Sequence, residues 1–477
     1  MTETAKKKRG MPSSFTILLA LLAIVAVITV IVSGTSGGAV TAARLSDFCT
    51  VMILGGFLGM MTETGALDNG IAVLVQKLKG NEIMLIPVLM LIFSLGGTTY
   101  GMCEETVPFY ALLAATMMAA GFDPMVGAAT VLLGAGCGCL GSTVNPFAVG
   151  AAVDALTGVG IEVNQSIIIG LGAVLWIVTT AMSIFFVMSY AKKVKADKGS
   201  TILSMQELKD AEEAHGKAAS EVHKEVKLTG RQKGVLIAFA FTFVVMIVGF
   251  IPLADLNEGV ANFFDAGAVY DADGNAVVQG WSALITGLPI GQWYFDEAST
   301  WFFLMAVLIG IIGGLSEKQI VNTFITGAAD MMSVVLVIAL ARGISVLMAN
   351  TGLDVFVLDA AANALAGLSG VIFAPMSFLV YFGLSFLIPS TSGMATVSMP
   401  IMGPLAVKLG FSPEVMVMIF SAAIGVVNLF TPTSGAIMGG LALAKIEWTT
   451  WLKFALKLIV ALSVVCAIIL TVACVLI

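Results

Sequence analysis

Four short stretches of this chain crowd glycine, proline, hydroxyl and amide side chains into apolar surroundings. The first runs from Gly96 to Pro108 and contains Thr98, Thr99, Gly101, Glu104, Glu105 and Thr106. The second runs from Gly141 to Pro146 and contains Ser142, Thr143 and Asn145. The third, Pro389 to Thr396, contains Ser390, Thr391 and Ser392. The fourth, Asn428 to Gly435, contains Thr431, Thr433 and Ser434. Proline removes a backbone donor and glycine permits a sharp turn, so each stretch interrupts a helix. An interrupted helix exposes amides at one broken end, which attract anions, and carbonyls at the other, which attract cations. Hydroxyl and amide side chains add hard oxygen ligands. Such a place can hold a carboxylate-bearing small molecule and a small coupling cation, H+ or Na+, together. The cation would sit near Ser142, Asn145, Thr431 and Ser434. No catalytic group, cofactor or bound metal is expected there.

The interruptions come in pairs. At a shift of 289 positions, Ser142 falls on Thr431 and Asn145 on Ser434, while Glu104 and Glu105 fall on Gly393 and Met394. Gly-Phe-Asp-Pro at 121–124 recurs as Gly-Phe-Ser-Pro at 410–413, and Thr-Gly-Ala-Leu-Asp at 64–68 is echoed by Asn-Thr-Gly-Leu-Asp at 350–354. A single interruption is better read as a proline kink or a tight helix crossing. Four in repeat-related pairs point to a site.

Glu104 and Glu105 have no Lys or Arg within twenty positions on either side. Carboxylates inside a membrane line a water-filled path or meet a cation. The pair could bind a cationic substrate group, carry a coupling proton, or form a hairpin tip that reaches water. Arg342 could clamp a substrate carboxylate or pair with an acid such as Glu63. Glu63, Asp68 and Asp354 sit near the ends of apolar runs, where helix caps or solvated loops explain them.

The elements that must position these residues are membrane helices. The chain has 477 residues, 58% hydrophobic and only 11% charged, with a mean hydropathy of +1.02. A soluble domain is about 45–50% apolar and about 25% charged, so the excess needs lipid as its solvent. Runs long enough to span lie at 15–33, 166–190, 234–252, 331–349, 371–388 and 452–477, with shorter ones at 48–61, 83–96, 125–141, 301–314 and 413–427. A β-barrel would alternate in segments of about ten residues. The first run follows Lys6, Lys7, Lys8 and Arg9 and is too long for a signal-peptide core, so it reads as a retained helix.

Charge divides the chain into a transmembrane repeat over 1–190, a polar linker over 191–233 and a second repeat over 234–477. The linker carries ten Lys or Arg and seven Asp or Glu, whereas the 253–300 loop carries seven Asp or Glu and no basic residue. The positive-inside rule places the N-terminus and linker in the cytoplasm of a cell-membrane protein, with the acidic loop outside. The net charge of −7 is a sum over loops and does not point to nucleic acid. The linker reads as partly helical, serving connection and solvation. In the acidic loop, Asp273-Gly274 between β-branched runs reads as a hairpin turn rather than a calcium loop, which would need a distal glutamate. The six cysteines lie in apolar or Gly-rich surroundings and read as buried small hydrophobes. If the number of extra crossings before the second repeat is odd, the two repeats are inverted.

The Gly-Gly-Thr-Thr-Tyr-Gly-Met-Cys-Glu-Glu-Thr run at 96–106, Leu132 to Gly136 with Gly-Ser-Thr-Val-Asn-Pro-Phe at 141–147, and Ile-Pro-Ser-Thr-Ser-Gly at 388–393 resemble the YfcC-like branch of the anaerobic C4-dicarboxylate carrier family. The resemblance covers nearly the whole chain. It implies an all-α polytopic membrane protein with two inverted repeats, each holding a re-entrant hairpin and a broken transmembrane helix. It also implies an elevator-like motion and a homodimer. On that likeness 97–120 and 386–408 would be the hairpins, and 142–146 and 431–435 the unwound helices. Some relatives in the branch are assigned as basic amino acid antiporters, which suits the acidic pair. The function expected is therefore secondary transport of a small carboxylate-bearing metabolite, with basic amino acid exchange favoured and a C4-dicarboxylate as the alternative. A channel would show a repeated filter sequence. An intramembrane enzyme would need a nucleophile or metal, yet both histidines, His215 and His223, lie in the linker.

Overall fold

The computed structural model describes residues 42–477 apart from 68, 71–72, 74–80, 104–105, 223–226, 252, 257, 271–275, 279, 294, 333–359, 361 and 389. In chain order the helices are α1 (Ala42–Glu63), α2 (Leu85–Tyr100), α3 (Val107–Ala119), α4 (Pro124–Leu140), α5 (Ala151–Thr157), α6 (Gln165–Ala196), α7 (Met205–Val222) and α8 (Gly230–Phe250). Two short helices, α9 (Leu253–Leu256) and α10 (Glu258–Phe264), follow. Then come α11 (Phe295–Gly313), α12 (Glu317–Asp330), α13 (Gly370–Leu387), α14 (Thr391–Lys408), α15 (Pro413–Val427), α16 (Gly435–Leu443) and α17 (Trp448–Leu476). The 253–300 loop carries the expected β-hairpin: β1 (Val269–Tyr270) pairs antiparallel with β2 (Ala276–Val278). Its Asp273-Gly274 turn lies outside the described residues, as do the 15–33 and 331–349 runs.

Five described helices are long and apolar enough to cross a membrane: Glu82–Tyr100, Gln165–Ala196, Gly230–Phe250, Asp296–Gly313 and Trp448–Leu476. Their outward residues are apolar; Phe185 is 75% exposed and Ile237 70%. Such faces suit lipid, with every backbone group bonded within its own helix.

Local chemistry sets the helix ends. Asp123 caps α4 by accepting the Val126 N–H at 3.1 Å, with Pro124 in the first turn where a missing N–H costs nothing. Ser412 and Pro413 do the same for α15. Thr229 and Gln232 form a capping box at the start of α8.

Two faces of the bundle can be traced from side-chain ties. On the linker face, Lys195 near the end of α6 pairs with Glu82, just before α2, at 2.7 Å. Asp123, between α3 and α4, accepts hydrogen bonds from Tyr190 Oη at 2.6 Å and Thr201 Oγ1 at 2.7 Å. Hence α2 leaves from this face and α3 returns to it. On the far face, Glu414 accepts the Asn164 N–H, just before α6, at 2.8 Å. Gly370, at the start of α13, packs against Phe411 and Cys474 there. Helices α13 and α14 therefore leave from and return to the far face. The long helix α6 braces both turns, Asp123 near its C-terminal end and Glu414 at its N-terminal end.

Three expectations change. The 371–388 run, read as a full span, is the first arm of a helical hairpin. Its length equals a span, but the chain breaks at 388–390 and doubles back through α14. Each hairpin is also larger than the sequence motif suggested, covering 85–119 and 370–408 rather than 97–120 and 386–408. The linker is likewise more than connection. Helix α7 docks against α3, with Ala211 fully buried and Leu208 packed on the core.

The helices sort into two bodies. One contains α1, α8, α11 and α12, joined by a ring cluster of Phe57, Phe239, Phe243 and Phe302 and by a close crossing of Gly55 on Gly327. The other contains α2–α6 and α13–α17. Among the described residues they meet at Phe250 of α8, whose ring lies 6.2 Å from Tyr100 and 6.0 Å from Phe147, and at Met331 just past α12, which clusters with Val107 of α3 and Ala436 of α16.

Candidate functional site

Helix α2 ends at Gly101, which adopts a left-handed φ of +81°. A Cβ there would lie 2.6 Å from Asn145 Oδ1, so glycine is required twice over. Thr98, 1% exposed, donates to the Gly141 carbonyl at 2.6 Å. The Thr98 carbonyl accepts from the Thr143 N–H at 2.9 Å and the Thr143 hydroxyl at 3.0 Å. The hairpin tip is thereby stitched to the break after α4. Within that break Ser142 donates to the Cys139 carbonyl at 2.6 Å and accepts from Asn145 Nδ2 at 2.9 Å. Asn145 Oδ1 accepts the Phe147 N–H at 2.9 Å, and the Asn145 carbonyl accepts from Val149 and Gly150. That doubled acceptance opens a single π-helical turn over Pro146–Gly150. Thr99 donates back to the Leu95 carbonyl at 2.6 Å, and Thr106 to the Cys103 carbonyl at 2.5 Å. In the first half the described hydroxyl and amide side chains are already bonded to one another or to nearby backbone.

The second half is different. Ser390 caps α14 by accepting the Gly393 N–H at 3.1 Å. Thr431 and Thr433 hydroxyls bond each other at 2.8 Å. Among the described residues, the side chains of Thr391, Ser392, Asn428 and Ser434 make no hydrogen bond, and all four are half-buried. Ser434 stands at the N-cap of α16 without capping it. Free donors and acceptors beside a helix start are what a ligand needs.

Sequence reasoning overlooked two tryptophans that hold this break. Trp448 Nε1 donates to the Phe430 carbonyl at 2.8 Å and Trp451 Nε1 to the Leu429 carbonyl at 2.9 Å. They satisfy carbonyls freed by the interruption. Their signal was a pair three apart opening an apolar helix, placing both indoles on one face.

The two breaks meet at the centre. A Cβ on Gly425 of α15 would lie 2.5 Å from the Leu140 Cα, where α4 ends, and one on Gly136 would strike Leu429. Each returning hairpin arm packs on the short helix of the opposite half. Tyr110 of α3 covers Gly440 of α16, and Leu156 of α5 covers Gly403 of α14. Val107, Ala436 and Cys103 join near the first tip. Glu104 and Glu105 lie outside the described residues, as do Arg342, Asp68 and Asp354. Glu63 is exposed at the end of α1.

Three groups on the linker face have shifted acidities. Burial raises Asp123 above the ordinary carboxylate range despite its three hydrogen bonds. Burial also pushes Glu207 up, but the Glu447 and Ser204 N–H groups outweigh it, leaving Glu207 lowered. Burial, aided by Lys445, lowers His215.

A family model described as the C4-dicarboxylate anaerobic carrier matches residues 38–475. A Haemophilus influenzae (strain Rd) protein named only as uncharacterized is 29% identical over 437 residues, 91% of this chain and 76% of that protein. An Escherichia coli (strain K12) protein named putative basic amino acid antiporter YfcC is 27% identical over 431 residues, 88% of this chain and 76% of its own. Among solved structures, the Alcanivorax borkumensis YdaH transporter, reported to have an unusual topology, aligns over 97% of this chain and 98% of its own. Its TM-score is 0.50 at 14% identity, a likeness of fold.

Proposed function

The chain belongs to the C4-dicarboxylate anaerobic carrier family and is a membrane transporter; we propose that it is a secondary carrier that exchanges basic amino acids, such as arginine and ornithine. The observation that carries this reading is the meeting of two broken helices from opposite halves of the chain at one central place. The free groups of Thr391, Ser392, Asn428 and Ser434 receive the substrate carboxylate, together with the first-turn amides of α14 and α16. Glu104 and Glu105 meet its cationic end. The name of the Escherichia coli relative agrees with that assignment.

Opposite entry of the two hairpins, one from the linker face and one from the far face, supports inverted repeats. The sorting of the helices into two bodies, joined among the described residues at Phe250 and Met331, supports an elevator-type motion. The basic linker face is cytoplasmic in this scheme, and H+ or Na+ remains the coupling ion to test. A homodimer would be formed by the body containing α1, α8, α11 and α12.

A second reading is carriage of a C4-dicarboxylate, favoured by the family description and by the hydroxyl and amide character of the described site. Counterflow in proteoliposomes separates the two. Labelled arginine should enter vesicles loaded with ornithine and not those loaded with succinate. Entry of labelled succinate alone would reverse the assignment, and single-channel currents would sink the carrier.

A further inference from the structure

Helix α7 is pinned to both halves of the chain at one edge of the site. Glu207, Ala211 and His215 recur every fourth residue, so they share one helix face, and all three are buried. Glu207 accepts the Glu447 N–H, in the bend between α16 and α17, at 2.9 Å. Its other oxygen accepts the Ser204 N–H at 2.7 Å, which fixes the carboxylate. His215 Nε2 lies 3.0 Å from the carbonyl of Leu443, the last residue of α16, so that nitrogen carries the proton and donates it. The same helix packs along α3.

Helices α3 and α16 face each other along a seam. Val107 and Ala436 cluster with Met331 at its inner end, with Cys103 packed against them, and the Tyr110 ring meets Gly440 farther out. The outer end of the seam reaches the linker face at Leu443, where α7 crosses it. A helix hydrogen-bonded to the α16 side and packed on the α3 side must release one of them before the seam opens.

We propose that α7 is a strap that closes the linker-face route to the site, with Glu207 and His215 as positioning residues that hold the first hairpin against α16. The proposal rests on the transporter reading only in treating the central breaks as the substrate site. Opening on this side then requires loss of the Glu207–Glu447 and His215–Leu443 bonds, while among the described residues α7 packs mainly on α3 and not on the far-face hairpin, α13–α14.

The test uses the full chain and its native cysteines. Cys103 is half-buried at the inner end of the seam, whereas Cys137 and Cys466 are fully buried. Membranes exposing the linker face are treated with an impermeant methanethiosulfonate reagent, and the labelled cysteine is assigned by mass spectrometry. Combined Glu207→Ala and His215→Ala should speed Cys103 labelling roughly tenfold or more, as expected when a hydrogen bond to an ionised group is lost from a closed state. Glu207→Gln, which keeps an acceptor oxygen, should restore most of the wild-type rate when His215 is intact. Unchanged Cys103 labelling in the double variant would overturn the proposal. So would parallel labelling of Cys137 and Cys466, since the strap would then be stabilising the whole bundle rather than closing one seam. Because labelling needs no substrate, a gate that behaves as stated with failed arginine and succinate counterflow would refute the transport reading alone.

Discussion

Asn145 and Asn428 are both asparagines at helix breaks, yet their replacement by alanine should have opposite consequences. Asn145 is 3% exposed and its amide is fully engaged, donating to Ser142 Oγ and accepting the Phe147 N–H, each at 2.9 Å. Alanine removes both bonds, worth about 0.5–1.5 kcal/mol each, and strands a buried N–H at a further cost of about 1–3 kcal/mol. No water reaches the interior of a bilayer to replace them. The expected loss is about 2–6 kcal/mol. For 477 residues, average unfolding entropies give about 1 kcal/mol per degree, so melting in detergent should fall by about 2–6 °C. The Asn428 amide has no partner among the described residues. Its alanine variant should melt within about 0.5 kcal/mol of wild type but bind substrate roughly two- to tenfold more weakly. Thermal unfolding with and without ligand reads both quantities, because ligand binding raises stability by mass action. Asn145→Ala with normal melting, or Asn428→Ala with lowered melting and unchanged affinity, would refute the division of labour.

Three further outcomes follow from other parts of the molecule. Gly97→Ala places a Cβ 2.2 Å from the Ala135 carbonyl oxygen, so the yield of monodisperse protein should drop with a loss of about 1–3 kcal/mol or more; a normal yield and melting profile would contradict the close α2–α4 crossing. Burial raises the folded-state pKa of Asp123 above its unfolded value, so its contribution is fully present below the ordinary carboxylate range and is lost as pH rises through the raised value. The melting advantage of wild type over Asp123→Asn should therefore shrink across that window, and a gap that widens with pH would show that the hydrogen bonds from Tyr190 and Thr201 dominate instead. Glu104→Gln or Glu105→Gln should weaken arginine binding roughly ten- to a hundredfold if the charge meets a cationic ligand. If exchange survives but pH-driven accumulation is lost, the pair carries a proton, and normal behaviour in both assays would make it a solvated tip.

Much was legible in the residues themselves because membrane solvation is a local rule. Each apolar run must satisfy its own backbone, so spans could be counted, and each Gly/Pro/Ser/Thr cluster had to be an interruption. All four clusters hold breaks, seen among the described residues at 101–103, 141–145, 388 with 390, and 428–434. The Gly-Phe-Asp-Pro and Gly-Phe-Ser-Pro motifs mark equivalent turns, each leading into a proline-started helix at Pro124 and Pro413. The hairpin of the acidic loop was legible too, since strand alternation and turn chemistry are near-neighbour properties.

What depended on the tertiary structure is everything that pairs distant residues. The sequence placed Ser142, Asn145, Asn428 and Ser434 in one class, because residue type says what a group can bond, not what it already bonds. Only packing showed that Thr98 lies over Thr143, closing the first break upon itself, while the second keeps unbonded side chains. Whether 371–388 crosses or doubles back was likewise decided by long-range ties such as Glu414 to Asn164, because length alone permits both. The linker was misjudged for the same reason. Its composition is that of a solvated helix, and the burial of Glu207 and His215 comes from carbonyl and N–H groups more than two hundred residues away. Local hydropathy fixes which segments enter the membrane; the partners of each polar group inside it are set by helix crossings that no window of sequence contains.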